Sequence, residues 1–597
     1  MKGFDVIHAK SAVKARNKMD LSAPVLATME IGQILPLGSW ELIPGDDFKV
    51  GMNAFSRLAP LVEPTYGKLH FKTVKAFVPY HQIAWDSDAW LAGRTTWEGF
   101  TPVGRFFTLE GLSVFYRTYC ITETGATAQN CDISWNGNGA NAPHYGIFTK
   151  QGKYFNKILN ALGYCFPQNT NLYSGTAWKT RIANIKVSAY PLLAFCKLYN
   201  DYMSQSQRFN TSSLSYFLQI VKYGKTPLSG FNPSTGVIDS SGLLTLLSAI
   251  KLNYENDYFT SAWQNPNFPL NASEGITSVN VPGLGSDYVS SVYNDNSLTT
   301  QATTTSPYTP VNLRQRSLDV LRRFDDWVRR NNYSGSRDVQ QLYSRFGIKT
   351  EDYKSHYAHV LGTDDIPIQI GDVTATAASL DSSGTSAVIP LGDYAGKGIM
   401  SGEIGCSYKS SDYGMLFILG YYTVTPLNAY GFDRSVLRVD PLDYYNPEFD
   451  GLGADAISLM EVFENPRGLA DSDATDSDSV FGFTERYNSY RYSRPKILGD
   501  FRKYKNDDPM NSWHTGRLLG DVRKAGYLVA QSSSMNTLPQ INSEYNRIFS
   551  ITTGEVDHFY LTCYFDVSAV RPMLNLNQVP NLGEGDTVVP RNGNVIS

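Results

Sequence analysis

The stretch DHFYLTCYFDVSAVRP, residues 557–572, decides the fold. In an extended chain Phe559, Leu561, Cys563, Phe565 and Val567 fall on one face, and His558, Tyr560, Thr562, Tyr564 and Asp566 fall on the other. Strict alternation of this kind predicts a strand with one face buried and one face open. GMLFILGYYTVTP (414–426) has no such alternation and predicts a strand buried on both faces. LHFKTVKAFVPY (69–80) predicts a third strand, stopped by Pro79. LATMEIGQILPLGSWELIPGDDFKV (26–50) predicts short strands cut by Pro36, Gly38, Pro44 and Gly45. The expected class is therefore mainly β, with core strands mainly about 23–80 and 400–573. In antiparallel sandwiches with Greek-key paths, the first and last strands often become neighbours.

Between these segments the sequence changes character. Residues 120–145 are rich in Thr, Asn and Gly, and 229–242 and 267–312 in Ser, Thr, Asn, Gly and Pro. Loops this long are usually functional or disordered. Residues 311–331 predict an amphipathic helix whose stripe is Leu313, Val320, Leu321, Phe324, Trp327 and Val328. A short helix is predicted at about 337–346. The two helices do not read as a DNA-binding helix-turn-helix, because the arginines of 311–331 are largely in i,i+4 pairs with aspartates. No internal repeat is present.

Composition narrows the function. With 42% hydrophobic residues the chain has ample material for a core, so global disorder is excluded. Charged residues are only 18%, against about 25% in ordinary soluble domains, and 38 residues are Tyr. Tyr covers apolar area while keeping a hydroxyl, so much of the surface is expected to be interface. Lys plus Arg is 52 and Asp plus Glu is 56, a net charge of −4. Such a chain does not neutralise a genome or coat an anionic membrane by bulk charge, and any nucleic-acid contact must be local.

Cys120, Cys131, Cys165, Cys196, Cys406 and Cys563 form no CxxC pair and read as reduced thiols. No secretory segment is read at the N-terminus, and the longest apolar stretch, Gly414 to Val424, is far short of the roughly 20 residues of a membrane span.

Catalytic motifs fail on context. GDYAGKG (392–398) is one residue short of a phosphate loop, GLGADA (451–456) does not follow a strand, and no HExxH or GxSxG is present. The chain is read as a non-enzyme without a required cofactor. One acidic loop, with Asp471, Asp473, Asp476 and Asp478, offers hard oxygen ligands for a structural divalent cation; the simpler reading is a solvated loop.

The segment ERYNSYRYSRPKILGDFRKYKN (485–506) carries the strongest functional signal. Cations there follow a phosphate backbone, and interleaved aromatic faces stack bases without sequence preference. The candidate single-stranded DNA contacts are Arg486, Tyr487, Tyr490, Arg491, Arg494, Lys496, Arg502 and Lys503. The N-terminal arm, residues 1–22, adds Lys10, Lys14, Arg16 and Lys18. A Tyr/Arg-rich contact between subunits is an equal reading of the segment, and an ordinary frayed terminus of the arm.

Seven collinear stretches resemble the major capsid proteins of the microviruses, small single-stranded DNA bacteriophages, and the gokushovirus-like branch in particular. They are residues 41–86 (ELIPGDDFKVGMNAFSRLAPLVEPTYGKLHFKTVKAFVPYHQIAWD), 255–263 (ENDYFTSAW), 342–352 (LYSRFGIKTED), 390–398 (PLGDYAGKG), 437–457 (LRVDPLDYYNPEFDGLGADAI), 481–492 (FGFTERYNSYRY) and 564–573 (YFDVSAVRPM). The resemblance implies a single eight-stranded antiparallel viral jelly roll with large loop and helical insertions. It implies a T = 1 icosahedral shell of sixty copies around a circular single-stranded DNA genome. The implied partners are a small basic DNA-binding protein, a DNA-pilot protein and an internal scaffolding protein.

On this reading residues 23–573 are one discontinuous domain and 574–597 a C-terminal tail. Residues 111–180, which look expanded, and 267–312, which look short, are candidate surface insertions for contact with a bacterial surface receptor. The expected location is the virion, assembled in the host bacterial cytoplasm. Two other classes fit the composition less well: a phage receptor-binding or tail protein, usually repetitive, and a carbohydrate-binding protein, which expects a secretory signal.

Overall fold

The alternating stretch forms a 13-residue strand, Phe559–Arg571, whose odd-numbered residues from Phe559 to Ala569 are buried while Tyr560, Thr562, Tyr564 and Asp566 are exposed. The computed structural model describes residues 16–96, 101–123, 133–136, 143–165, 185–204, 212–222, 229–255, 257–262, 323, 357–374, 379–380, 387–389, 394–425, 427, 431–450, 454–462, 480–502, 510–516, 543–551 and 556–573. Outside them lie Lys10, Lys14, Lys503, the four aspartates Asp471, Asp473, Asp476 and Asp478, the loop 267–312, the tail 574–597 and, Arg323 apart, the helical stretches 311–331 and 337–346.

Ten strands build the centre: β1 Asn17–Asp20, β2 Ala23–Met29, β3 Ile34–Leu42, β4 Asp47–Leu58, β5 Leu69–Pro79, β6 His359–Pro367, β7 Gln369–Thr374, β8 Tyr394–Lys409, β9 Gly414–Val424 and β10 Phe559–Arg571. The first sheet places β1 and β2 along one side of β10, followed by β4, β8 and β7. The second runs β6–β5–β9–β3. Every pairing in both is antiparallel. The expected mainly β class is observed, and the topology is compatible with a jelly roll.

The sheets meet through aromatic contacts. Tyr422 of β9 stacks on Phe559 of β10 at 4.0 Å, Phe77 of β5 lies 4.6 Å from Tyr408 of β8, and Trp40 of β3 meets Phe565 of β10 edge-on at 5.2 Å. Polar ties cross the same gap. The Tyr422 hydroxyl donates to Ser56 at 2.7 Å. Lys75 is buried, and its ammonium reaches Asp364 at 2.7 Å and the Gly405 carbonyl of the opposite sheet at 2.9 Å. A cation buried between sheets is tolerated because it keeps both partners.

The second sheet is also covered on its outer face, by the insertion between β5 and β6. Helix Tyr190–Leu198 is apolar almost all round and buries every residue except Pro191, the pattern of a helix inside a core. Its Phe195 packs 6.4 Å from Phe417 of β9. Helix Lys150–Ala161 lies on β3, where the Tyr154 hydroxyl accepts from the Ile34 amide at 3.1 Å. Covered on both sides, β9 has no exposed residue.

The structure differs from the sequence reading in three places. β6 and β7 lie outside the two segments from which the core strands were expected. β6 is an edge strand whose Asp364, Asp365 and Pro367 read as turn residues; its carboxylates are matched by Lys75, Lys72 and His70 of the neighbouring strand β5. Within residues 111–180, a candidate surface insertion, Phe115, Phe155, Ile158 and Leu159 are instead part of the main core. Residues 17–20 of the expected arm are a strand paired to the end of β10.

The buried face of β10 carries the stability. Phe559→Ala is expected to cost about 3–5 kcal/mol, the range for a buried aromatic, while exposed Tyr560→Ala stays within about 0.5 kcal/mol. Urea unfolding of the purified chain measures both.

His558 gives a pH signature. Its ring is buried against Phe549, between Glu30 (2.7 Å) and the Ile551 carbonyl (2.6 Å), with Asp557 nearby and held by Lys157. Burial disfavours its charged form, but the bonds to Glu30 and Ile551 and the charges of Glu30 and Asp557 outweigh burial and raise the pKa above 6.5. The protonated ring therefore contributes stability in full below the unfolded value near 6.5, and that contribution is lost as pH rises through the raised folded value. His558→Gln should flatten this fall in a series of melts from pH 6 upward; an unchanged slope would assign it to other groups.

Candidate nucleic-acid interface

The basic–aromatic segment follows an antiparallel hairpin, Ala454–Ser458 with Val480–Glu485, in the insertion between β9 and β10. At its end the chain turns sharply at Tyr487, whose φ of 61° is the only positive value among the described non-glycine residues. A side chain in that region costs on the order of 1–3 kcal/mol and persists only where its surroundings hold it. Here Tyr487 is buried, and its ring meets Tyr445 at 5.1 Å and Tyr490 at 6.2 Å. Beyond Tyr490 the chain runs as an extended strap to Gly499, which takes φ 65° and opens a short 3-10 turn, Gly499–Phe501.

The strap closes a second, small core. Tyr258, Phe259, Ala262, Ile457 and Val462 are its buried residues, with Phe481 and Tyr492 packed on them. Tyr492 stacks on Tyr258 at 5.0 Å and 9°. The DYFTSA stretch of the first long insertion thus packs against the second.

Electrostatics hold the same unit. Arg434 contacts Asp455 at 3.1 Å and Glu461 at 3.0 Å. Glu461 is buried, which pushes its carboxyl above the usual range despite Arg434, and it accepts from the Tyr258 hydroxyl at 3.1 Å. Arg494 donates to the Phe432 carbonyl at 2.5 Å and the Glu461 carbonyl at 3.0 Å. Burial lowers its pKa, and the neighbouring Arg502 pushes the same way.

The candidate contacts therefore fall into different settings. Tyr487 is buried and Arg494 clamps two backbone carbonyls. Arg486 is half-buried, its guanidinium 5.0 Å from the Phe449 ring and 5.2 Å from Tyr487. Arg491 is exposed and paired with Glu485 at 3.0 Å. Tyr490 is 48% exposed, with Arg438 3.9 Å over its ring. Lys496 is exposed beside Asp433, and Arg502 is half-buried. Arg16 and Lys18 are exposed at the other end of the sandwich, where β1 meets Ser568–Arg571. β4 starts at that end, and its 12 residues span roughly 40 Å before the chain reaches Tyr66. The arm and the strap do not form one patch through the described residues.

Two aromatic residues beside the strap were not legible as part of the site. Tyr66 and Trp513 lie 5.8 Å apart, and Tyr66 meets Phe501 edge-on at 6.1 Å. The Tyr66 amide donates to the Trp513 carbonyl at 2.8 Å. His514 Nε2 donates to the Phe501 carbonyl at 2.7 Å, while its Nδ1 accepts from the Gly516 amide at 2.9 Å, which defines a neutral tautomer. Tyr66 lies more than 400 residues before Phe501 and Trp513, so no local spacing signals the group.

Among the described residues no group of three or more His, Cys, Asp or Glu side chains is placed to hold a metal ion, and no helix is long and apolar enough to cross a membrane. Cys120, Cys196 and Cys563 are buried free thiols, each pushed up to about 12 by burial.

Comparison with known proteins gives a consistent answer. The capsid protein (F protein) family matches residues 8–92 and 164–582. The capsid protein VP1 of Chlamydia phage 1 is 23% identical over 613 aligned residues, covering 94% of this chain and 95% of the relative. The capsid protein VP1 of Bdellovibrio phage phiMH2K is 23% identical over 604, covering 94% of each. The stretch the family leaves unmatched, 93–163, overlaps the region read as expanded.

Because Arg494 holds carbonyls of two segments, Arg494→Ala should destabilise the small core by about 2 kcal/mol, as for lost bonds to a charged group. Limited proteolysis should then cut near the 454–485 hairpin first. Lys496→Ala should leave the digestion pattern as in the parent chain.

Proposed function

The chain belongs to the capsid protein (F protein) family of phages, and from that premise we propose that it is a major capsid subunit that closes, in sixty copies, a T = 1 shell around circular single-stranded DNA. The observation that carries this reading is the strand order. With β1 and β2 taken as one interrupted strand and β7 as an added edge, β2–β10–β4–β8 faces β3–β9–β5–β6, an order compatible with the proposed eight-stranded jelly roll. The subunit acts by assembly rather than catalysis. A closed shell needs heterologous contacts on several sides of each copy, which fits a surface poor in charge and rich in Tyr.

The proposed DNA-facing contacts are the accessible members of the basic segment, Arg486, Tyr490, Arg491, Lys496 and Arg502, with Lys503 and the arm residues Lys10, Lys14, Arg16 and Lys18. At a net charge of −4 the subunit needs a separate basic packaging protein, and a DNA-pilot and an internal scaffolding protein complete the partners. Residues 267–312 are proposed to meet a bacterial surface receptor.

Negative-stain microscopy of the purified product, with nuclease digestion, tests the central reading. Uniform round shells holding nuclease-resistant single-stranded DNA are expected; a monomer or trimer would overturn it. Deleting 267–312 should leave particles that no longer adsorb to the host, and unchanged adsorption would remove the receptor role.

A further inference from the structure

Tyr66 is 74% exposed, yet it is fixed at both ends of its peptide unit's surroundings: its amide binds the Trp513 carbonyl, and the next amide, of Gly67, donates to Thr65 at 3.1 Å. An exposed aromatic ring on a backbone held this firmly, with two half-buried rings 5.8 and 6.1 Å away, is a preformed aromatic surface. The approach of the two chain segments is close. A side chain at Gly67 would collide with Thr515 at 2.2 Å.

Cations outnumber carboxylates around this ledge. Lys68 is exposed on the same side as Tyr66, because exposure alternates through Tyr66, Gly67 and Lys68. Arg502 follows Phe501 directly, and Lys496 and Arg494 lie earlier on the same strap. Arg547 donates to the His514 and Gly516 carbonyls beside Trp513. Against these five cations stand exposed Asp500, half-buried Glu63, which accepts from Ser512 at 2.6 Å, and Asp433 and buried Glu461, both beside Arg494.

We infer that Tyr66, Phe501 and Trp513 form a stacking platform for unpaired bases of single-stranded DNA, with Lys68, Lys496 and Arg502 along the phosphates. The inference rests on the reading that the shell encloses single-stranded DNA, and it replaces Tyr487, which is buried, as a base contact by rings outside the small core. Every base has a π-face, so such a platform needs no sequence preference.

Two measurements test it. In the first, a short oligothymidylate is titrated into the purified full chain and followed by tryptophan fluorescence quenching and by anisotropy of a labelled strand. Tyr66→Leu should weaken binding roughly tenfold, since base–aromatic stacking is worth about 1–3 kcal/mol per base. Tyr66→Phe, which keeps the ring, should bind like the parent chain. Lys68→Ala should reduce the salt dependence of binding instead. Equal affinity of the parent and Tyr66→Leu overturns the platform.

In the second, particles are irradiated with ultraviolet light and digested, and nucleotide adducts are mapped. Adducts on peptides carrying Tyr66 or Trp513 are expected. Particles full of protected DNA without those adducts overturn the platform, for instance because a second copy covers it, and leave the capsid reading intact. Particles without DNA sink the packaging reading, while the titration still decides the platform.

Discussion

The two sheets of the sandwich are covered unequally, and most of the structure follows from that inequality. A sheet that packs on one face must alternate buried and open side chains, whereas a sheet packed on both faces cannot afford polar residues on either. β10 and β4 belong to the first kind and alternate along their length. β9 belongs to the second and is buried throughout. The long insertion after β5 is therefore more than decoration, since its helices Lys150–Ala161 and Tyr190–Leu198 are the second cover. Without them Phe417 and its neighbours would face water.

The same contrast explains what could be read in advance. β10, β9 and β5 announce themselves because their burial is a local pattern of period two or an unbroken apolar run. β6 does not, because Asp364 and Asp365 are acceptable only in the presence of Lys75, Lys72 and His70, which lie on β5 far earlier in the chain. The candidate site was legible in composition and not in geometry. Its excess of Arg and Tyr is plain in the sequence. That Tyr492 stacks on Tyr258, and that Arg494 spends its guanidinium on two carbonyls, depends on a partner segment that no local spacing reveals. The same holds for Tyr66 and Trp513, which are ordinary loop residues until the fold brings them together.

Charge is distributed according to the job it does. Inside the sandwich and its insertions, cations are matched closely: Lys75 with Asp364, Arg105 with Asp86 at 3.1 Å, Arg434 with Asp455 and Glu461. Such pairs contribute little net stability but make the loss of either partner costly, so they specify one arrangement of the segments they join. Outside, charge is sparse, and the exposed residues of β10 and β2 include Tyr560, Tyr564 and Leu26. A near-neutral surface suits extended contact with copies of itself better than long-range attraction to a polyanion.

The position of β10 sets a schedule. It is the last strand among the described residues, yet it lies in the interior of its sheet, between β2 and β4. At about 5–20 residues per second, synthesis takes roughly half a minute to two minutes, and for nearly all of that time the facing edges of β2 and β4 have no partner. The sandwich therefore closes only after translation is almost complete, through contacts of very large sequence separation that form slowly. A product that ends early lacks its central strand and presents two open edges instead of a finished face. The topology thus acts as a length check, admitting to assembly only chains made at least as far as β10.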